Sequence, residues 1–297
     1  MDAKGDPVAS GFSRKDLGAA DVPPEGGSHG NQRPFPEDAR LRRLAERIRG
    51  ARRLTILTGA GVSAASGVPT FRGADGLWRR YRPEELATPG AFARDPQLVW
   101  EWYAWRREKI AACAPNAAHA VIAEWSAGVR PQDTSLGSDP KVTVLTQNVD
   151  DLHLRAGTQG LVRLHGSIWE LSCWNRCANG SSRWRDERVP FPQLPPRCAH
   201  CGGLARPAVV WFGESLQAEA LDAAAGATAC DVFLTVGTSA VVYPAAGLVH
   251  EAKRQGAFTA EINMDATPAS SAVDIAIHGP AEHLLPAMNA ALASRVR

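Results

Sequence analysis

Two rhythms of hydrophobic residues alternate along this chain. Short apolar runs at Leu54–Leu57, Val142–Leu145, Leu161–Leu164, Val232–Val236, Phe258–Ile262 and Val273–Ile277 each end in a polar or glycine-rich turn. Runs of that length without polar alternation predict strands buried on both faces. Between them lie stretches of helical period: Leu41, Leu44, Ala45 and Ile48 recur among arginines before Gly50, and Pro96–Ala112 and Ala218–Ala227 continue the pattern. Strands alternating with helices predict an α/β fold, a doubly wound, Rossmann-like parallel sheet with helices on both faces. Residues 37–172 and 203–297 are assigned to it. Residues 173–202, rich in Arg, Pro and Cys and poor in aliphatics, read as a small inserted module outside that core. Residues 1–36 carry Gly, Pro, Asp and Ser without hydrophobic period and read as a disordered tail. Gly128–Lys141 reads as a surface loop.

Composition narrows the function classes. The 297 residues are 44% hydrophobic and 22% charged, enough for one large core or two modest ones. With 33 basic against 31 acidic side chains the formal charge is +2, so neither nucleic acid nor an anionic membrane is expected as a partner. No apolar run approaches the roughly 20 residues that span a bilayer, and Asp2, Asp6, Asp16, Asp21 and Glu25 do not suit a secretory leader. A reducing, cytoplasmic setting and a monomer are expected. Six cysteines are too few for a disulfide scaffold in a chain of this length. Four of them form Cys173-x-x-x-Cys177 and Cys198-x-x-Cys201, two knuckles able to complete a tetrahedral thiolate site. Four thiolates leave no open coordination position, so one structural Zn2+ is predicted; unpaired thiols or a redox pair are the alternative. Cys113 and Cys230 read as small buried hydrophobes.

The first strand runs into Gly59-Ala60-Gly61-Val62-Ser63-Ala64, the G-x-G-x-x-A turn of dinucleotide sites. Gly59 allows the tight turn, Gly61 lets the backbone approach a pyrophosphate, and small Ala64 lets the next helix pack closely, its N-terminus facing the phosphates. The acidic residue that usually holds the ribose at the end of the second strand is missing, which weakens an ordinary dehydrogenase reading. A lone histidine before a glycine, such as His165, is more often a capping or packing residue than a base. Asn148 and Asp150 are equally a turn after a strand, and Phe71 is equally core.

From Gly59 onward the chain reads Gly-Ala-Gly-Val-Ser-Ala-Ala-Ser-Gly-Val-Pro-Thr-Phe-Arg-Gly. Thr146-Gln-Asn-Val-Asp-Asp-Leu-His153, Leu164-His-Gly-Ser167, Val236-Gly-Thr-Ser239 and Glu261-Ile-Asn263 follow in order. Over residues 38–290 this resembles the sirtuins, NAD-dependent protein lysine deacylases. The resemblance implies NAD as co-substrate, acyl-lysine proteins or peptides as partners, and nicotinamide and O-acyl-ADP-ribose as products. It implies His165 as the general base, whose ordinary pKa near 6.5 suits a ribose hydroxyl at neutral pH. Asn148 and Asp150 join it as catalytic residues. Gly59, Ala60, Gly61, Ala64, Thr70, Phe71, Arg72, Gln147, Asn148, Asp150, Gly237, Thr238, Ser239 and Asn263 are then the cofactor contacts. Phe71 takes the place of the mobile aromatic that shields the reacting sugar. Thr70 stands where the family often has Asp.

The helix around Val99–Glu108 is unusually aromatic, and Tyr103 and Arg106 lie three apart on one face. On spacing alone Tyr103 reads as core and Arg106 as covering the helix surface. Tyr-x-x-Arg also resembles the desuccinylase and demalonylase branch of sirtuins, as does Leu86-Ala87-Thr88-Pro89. That implies a phenol and a guanidinium holding an acyl chain that ends in a carboxylate, with Ala87 widening the pocket. The resemblance further implies that Val210, Phe212, Gly213 and Glu214, with Val241 and Tyr243, bind the substrate peptide as a strand between them.

Overall fold

The computed structural model describes residues 39–71, 76–77, 82–128, 141–178 and 183–293. Arg72, the 1–36 tail and residues 129–140 of the predicted loop lie outside them. Six parallel strands form the main sheet: β1 (Arg53–Thr58), β2 (Lys141–Thr146), β3 (Leu161–Arg163), β7 (Val232–Val236), β8 (Phe258–Asn263) and β9 (Ile275–His278), in the order β3-β2-β1-β7-β8-β9. Every apolar run predicted as a strand contains one, although the last begins at Ile275 rather than Val273 and β3 ends at Arg163.

Alternate residues of each strand serve opposite faces, as a period of two requires. Leu54, Ile56, Val232, Leu234 and Val236 pack with α1 (Ala39–Arg49), α5 (Ala117–Ser126) and α9 (Ala281–Ala293). Leu57, Leu145 and Phe233 pack on the other side with α7 (Ala218–Ala227) and α8 (Leu248–Arg254). Among the described residues no helix is long and apolar enough to cross a membrane.

A second core stands apart from these two. Two short helices, α2 (Pro83–Leu86) and α3 (Pro89–Arg94), and the longer α4 (Pro96–Ala111) pack with an antiparallel sheet ordered β5-β4-β6. Its strands are β4 (Gly166–Cys173), β5 (Trp184–Arg185) and β6 (Ala205–Val209). The helix starts are written locally: Thr88 and Asp95 accept from the amides of Ala91 and Leu98, and Pro89 and Pro96 occupy first positions that need no amide donor. Residues Phe191, Leu194 and Leu204 join this cluster, so the Arg- and Pro-rich segment is supported by a core other than that of the parallel sheet.

One local expectation is corrected. Beyond Gly59 the chain forms a 3₁₀ helix, Ala60–Ser66, closed by Gly67 in the left-handed region, rather than an α-helix N-terminus. Ala64 is exposed on it, so its small size does not serve to pack a helix against the strand.

Candidate functional site

The strand order reverses beside β1: the chain passes from β1 to β2 on one side and later to β7 on the other. Ligands of open parallel sheets bind at the carboxyl ends of strands at such a switch point. Here the loops after β1 and β7 touch through glycines. The Gly59 amide donates to the Val236 carbonyl at 3.1 Å and that of Gly61 to the Gly237 carbonyl at 2.8 Å. A Cβ on Gly59 would stand 2.8 Å from Thr238 Cα, one on Gly61 2.8 Å from Gly237 Cα, and one on Gly237, at φ +60°, would collide with Val62. Gly61 is therefore required by a neighbouring loop as well as by any pyrophosphate. Two backbone turns this close, with no side chain between them, suit a dinucleotide.

The loop after β2 is fixed to both turns. Gln147 Nε2 donates to Thr238 Oγ1 at 2.8 Å, and Asn148 Nδ2 donates to the Gly59 carbonyl at 3.0 Å and to Ser63 Oγ at 3.1 Å. Ser63 is fully buried and donates its single proton to Asp150 Oδ2 at 2.8 Å. Burial raises the Asp150 carboxyl above its usual range, opposed by the Leu152 amide and the Ser63 hydroxyl. Ser63 lies inside a recognisable motif, but its bonds to residues more than 80 positions away could not be read from it.

Beneath this loop lie two histidines that the sequence reading assigned no role. His119 is held at about 4 by burial, hence neutral; its Nδ1 accepts the Asn116 amide at 3.3 Å, so Nε2 carries the proton toward Ser63 Oγ at 3.4 Å. Burial holds His153 at about 3, and its Nε2 lies 2.9 Å from Thr58 Oγ1.

His165 follows β3. Its Nδ1 is 3.0 Å from the Gln147 carbonyl, which can only accept, so the proton sits on Nδ1 and Nε2 presents a lone pair. Burial lowers its pKa, opposed by that carbonyl, which leaves the ring neutral at pH 7. Gly166, at φ +79°, follows because any Cβ there would strike the Ala208 carbonyl. Gln147, Asn148, Asp150, Gly59, Gly61, Gly237, Thr238 and His165 thus form one hydrogen-bonded cluster. Asn263 stands at the end of β8, its amide donating to the Asp265 carbonyl at 3.0 Å. Ala60, Thr70 and Ser239 are half-buried around the same rim.

Next to this cluster the second core opens toward the site through α4. Arg106 is 5% exposed and stacks on Phe71 at 4.6 Å and Trp102 at 4.9 Å. Its nitrogens have no carboxylate within salt-bridge distance among the described residues. Desolvation lowers its pKa, opposed in part by the nearby Tyr103 and Asp150. Tyr103 is buried and its hydroxyl accepts from Trp211 Nε1 at 2.9 Å. Ala87, also buried, accepts the Phe212 amide at 2.9 Å, and the His165 carbonyl accepts that of Val210 at 3.0 Å. Glu214 is bound by Arg206 at 2.5 and 2.8 Å and so is not a free acceptor. Gly213 takes φ +84°, while Phe212, Val241 and Tyr243 are exposed.

In the small module the sulfurs of Cys173, Cys177, Cys198 and Cys201 lie within 4.8 Å of one another. Cys173 and Cys201 are 3.6 Å apart and Cys177 and Cys198 3.9 Å. Tetrahedral coordination at about 2.3 Å per Zn–S bond sets sulfurs about 3.8 Å apart, so the donor set fits zinc, and the extra residue in the first knuckle does not displace Cys177.

Comparison with known proteins agrees with this geometry. Residues 59–244 match the Sir2 family. The chain is 47% identical over 223 residues to an NAD-dependent protein deacylase of Aquifex aeolicus, covering 75% of this chain and 87% of that one. It is 42% identical over 275 residues to the mitochondrial NAD-dependent protein deacylase sirtuin-5 of Canis lupus familiaris, covering 86% and 85%. A solved Sir2 homolog–NAD complex superimposes with TM-score 0.73 at 45% identity, over 84% of this chain and 94% of that one.

Proposed function

The chain belongs to the Sir2 family and is an NAD-dependent protein deacylase, and from that premise we propose that it acts best on lysines whose acyl group ends in a carboxylate: succinyl, malonyl or glutaryl. The observation that carries this reading is Arg106. A guanidinium at 5% exposure with no carboxylate within salt-bridge distance among the described residues is costly in the free protein. An anionic acyl terminus supplies the missing charge. Arg106 would grip it bidentately, Tyr103 would donate to it, and small Ala87 leaves room for the longer chain.

When bound, NAD supplies a nicotinamide–ribose bond whose cleavage opens the sugar to the acyl carbonyl oxygen. Asn148 and Asp150 hold that end of the dinucleotide through their fixed side chains, and Phe71 keeps water from it. His165 Nε2 takes the proton of a ribose hydroxyl. With one water consumed as the amine is released, nicotinamide, free lysine and O-acyl-ADP-ribose are the products. Arg72 joins the phosphate or ribose contacts with Gly59, Ala60, Gly61, Ala64, Thr70, Gln147, Gly237, Thr238, Ser239 and Asn263. Val210–Glu214 and Val241–Tyr243 offer backbone and exposed apolar side chains to an extended peptide. The four thiolates hold a structural zinc away from this chemistry.

The test is incubation with NAD and matched acetyl-, malonyl-, succinyl- and glutaryl-lysine peptides, with products followed by mass spectrometry. Higher kcat/KM on the acidic chains is expected. Turnover of acetyl-lysine as fast or faster would leave a deacetylase and overturn the proposal.

A further inference from the structure

We propose that Trp211 is a specificity-determining positioning residue: its indole N–H occupies the oxygen of the Tyr103 hydroxyl, leaving that hydroxyl's hydrogen for an acyl carboxylate. This rests on the acidic-acyl reading and extends it to a residue that need not touch the substrate.

An indole N–H can only donate, so across the 2.9 Å bond Tyr103 is the acceptor. The hydroxyl hydrogen must therefore point elsewhere, and among the described residues it meets no acceptor. Three residues along α4, the buried Arg106 guanidinium likewise meets no carboxylate. Two buried donors on one helix face, both lacking an acceptor, match the two oxygens of a carboxylate. Burial raises the Tyr103 pKa, so the phenol keeps the proton it is to donate.

Trp211 is built to hold its direction. Its backbone amide donates to Glu214 Oε2 at 2.9 Å, and the Arg206 guanidinium, bound to the same carboxylate, stacks on its ring at 3.6 Å. On either side, the amides of Val210 and Phe212 are tied to the carbonyls of His165 and Ala87. One short segment thereby registers the base, the wall of the acyl pocket and the Tyr103 hydroxyl against one another. Without the indole N–H the hydroxyl could rotate, and its lone pairs would face the carboxylate as readily as its hydrogen.

The experiment is a double-mutant cycle on Trp211→Phe and Tyr103→Phe, read as kcat/KM on succinyl- and acetyl-lysine peptides. Trp211→Phe is expected to lower succinyl turnover about tenfold, the scale of one charge-assisted hydrogen bond, and acetyl turnover less than about threefold. In the Tyr103→Phe background it should cause no further loss of selectivity. Should the phenylalanine variant fold poorly, benzothienylalanine placed at 211 keeps the ring shape and deletes only the N–H. A succinyl preference surviving undiminished in either variant, or an equal added loss without the Tyr103 hydroxyl, overturns the inference and leaves the acidic-acyl reading standing. A wild-type protein with no acidic preference removes both.

Discussion

A guanidinium stacked between Phe71 and Trp102, with no carboxylate partner among the described residues, costs the free protein stability and favours an anionic ligand. Arg106→Met separates the two effects, because methionine keeps much of the volume and aromatic contact while deleting the charge. Leaving a substrate carboxylate buried and unpaired costs about 3–5 kcal/mol, so kcat/KM on succinyl-lysine should fall by about 10²–10⁴. Acetyl-lysine brings no carboxylate and should lose less than about tenfold. Thermal unfolding of the free variant should occur no lower than in the wild type, since a desolvated charge has been removed. Equal losses on both peptides would remove Arg106 from the acyl pocket. Three-residue spacing puts Tyr103 and Arg106 on one face, but their joint role was legible only through the family resemblance; spacing alone reads Arg106 as surface cover, and the fold buries it. The roles of Ser63 and Trp211 were not legible, because they arise from partners 87 and 108 positions away that only the fold brings within reach.

Among the elements, β5 links zinc to the NAD loops. It pairs with β4 through Glu170 and Leu171, and Arg185 within it donates to Asp151 Oδ2 at 2.9 Å, one residue beyond Asp150. Asp186, just after β5, accepts through its carbonyl from the buried Arg107 of α4, next to Arg106. A strand of two residues has little stability of its own and depends on the knuckles on either side of it. Cys201→Ser, or removal of the metal by a strong chelator, should therefore lower Tm by more than about 5 °C and reduce turnover together with it. Full activity in a demonstrably zinc-free protein would refute this coupling. The same element shows where sequence reading stops. The central parallel strands β1, β7 and β8 are buried on both faces and so stand out as apolar runs, but β4 and β6 break register between Gly166 and Leu171 and share a core with α2–α4 from a distant part of the chain. Their pairing is written in tertiary contacts, as is the close approach of the turn after Gly59 to Gly237.

Over the whole molecule, burying uncharged imidazoles links folding to pH. His119 and His153 stand 4.8 Å apart, ring to ring, and are held at about 4 and about 3, against about 6.5 in an unfolded chain. Between about pH 6.5 and 4 the unfolded state therefore binds more protons, so stability falls as pH drops through that window, by up to about 1.4 kcal/mol per unit for each histidine. His165, lowered by burial, adds to the same slope. Asp150 works in the opposite sense: its raised pKa lets the folded state take up a proton first, which offsets part of the loss. Glu214, Asp186 and Asp274, held low by Arg206, by Arg188 and by the Thr259 amide with Lys253 respectively, contribute only nearer pH 4. Two buried histidines against one carboxyl leave a net loss on acidification. Urea unfolding at pH 7, 5.5 and 4.5, with zinc in excess, should give a steadily decreasing free energy of unfolding. His153→Gln keeps a side chain able to bond Thr58 but cannot charge, and its slope should be shallower by up to about 1.4 kcal/mol per pH unit. Zinc loss and the other histidines act on both proteins alike, so the difference between their slopes isolates His153. Parallel pH profiles would mean that His153 is protonated as readily in the folded protein as in the unfolded one.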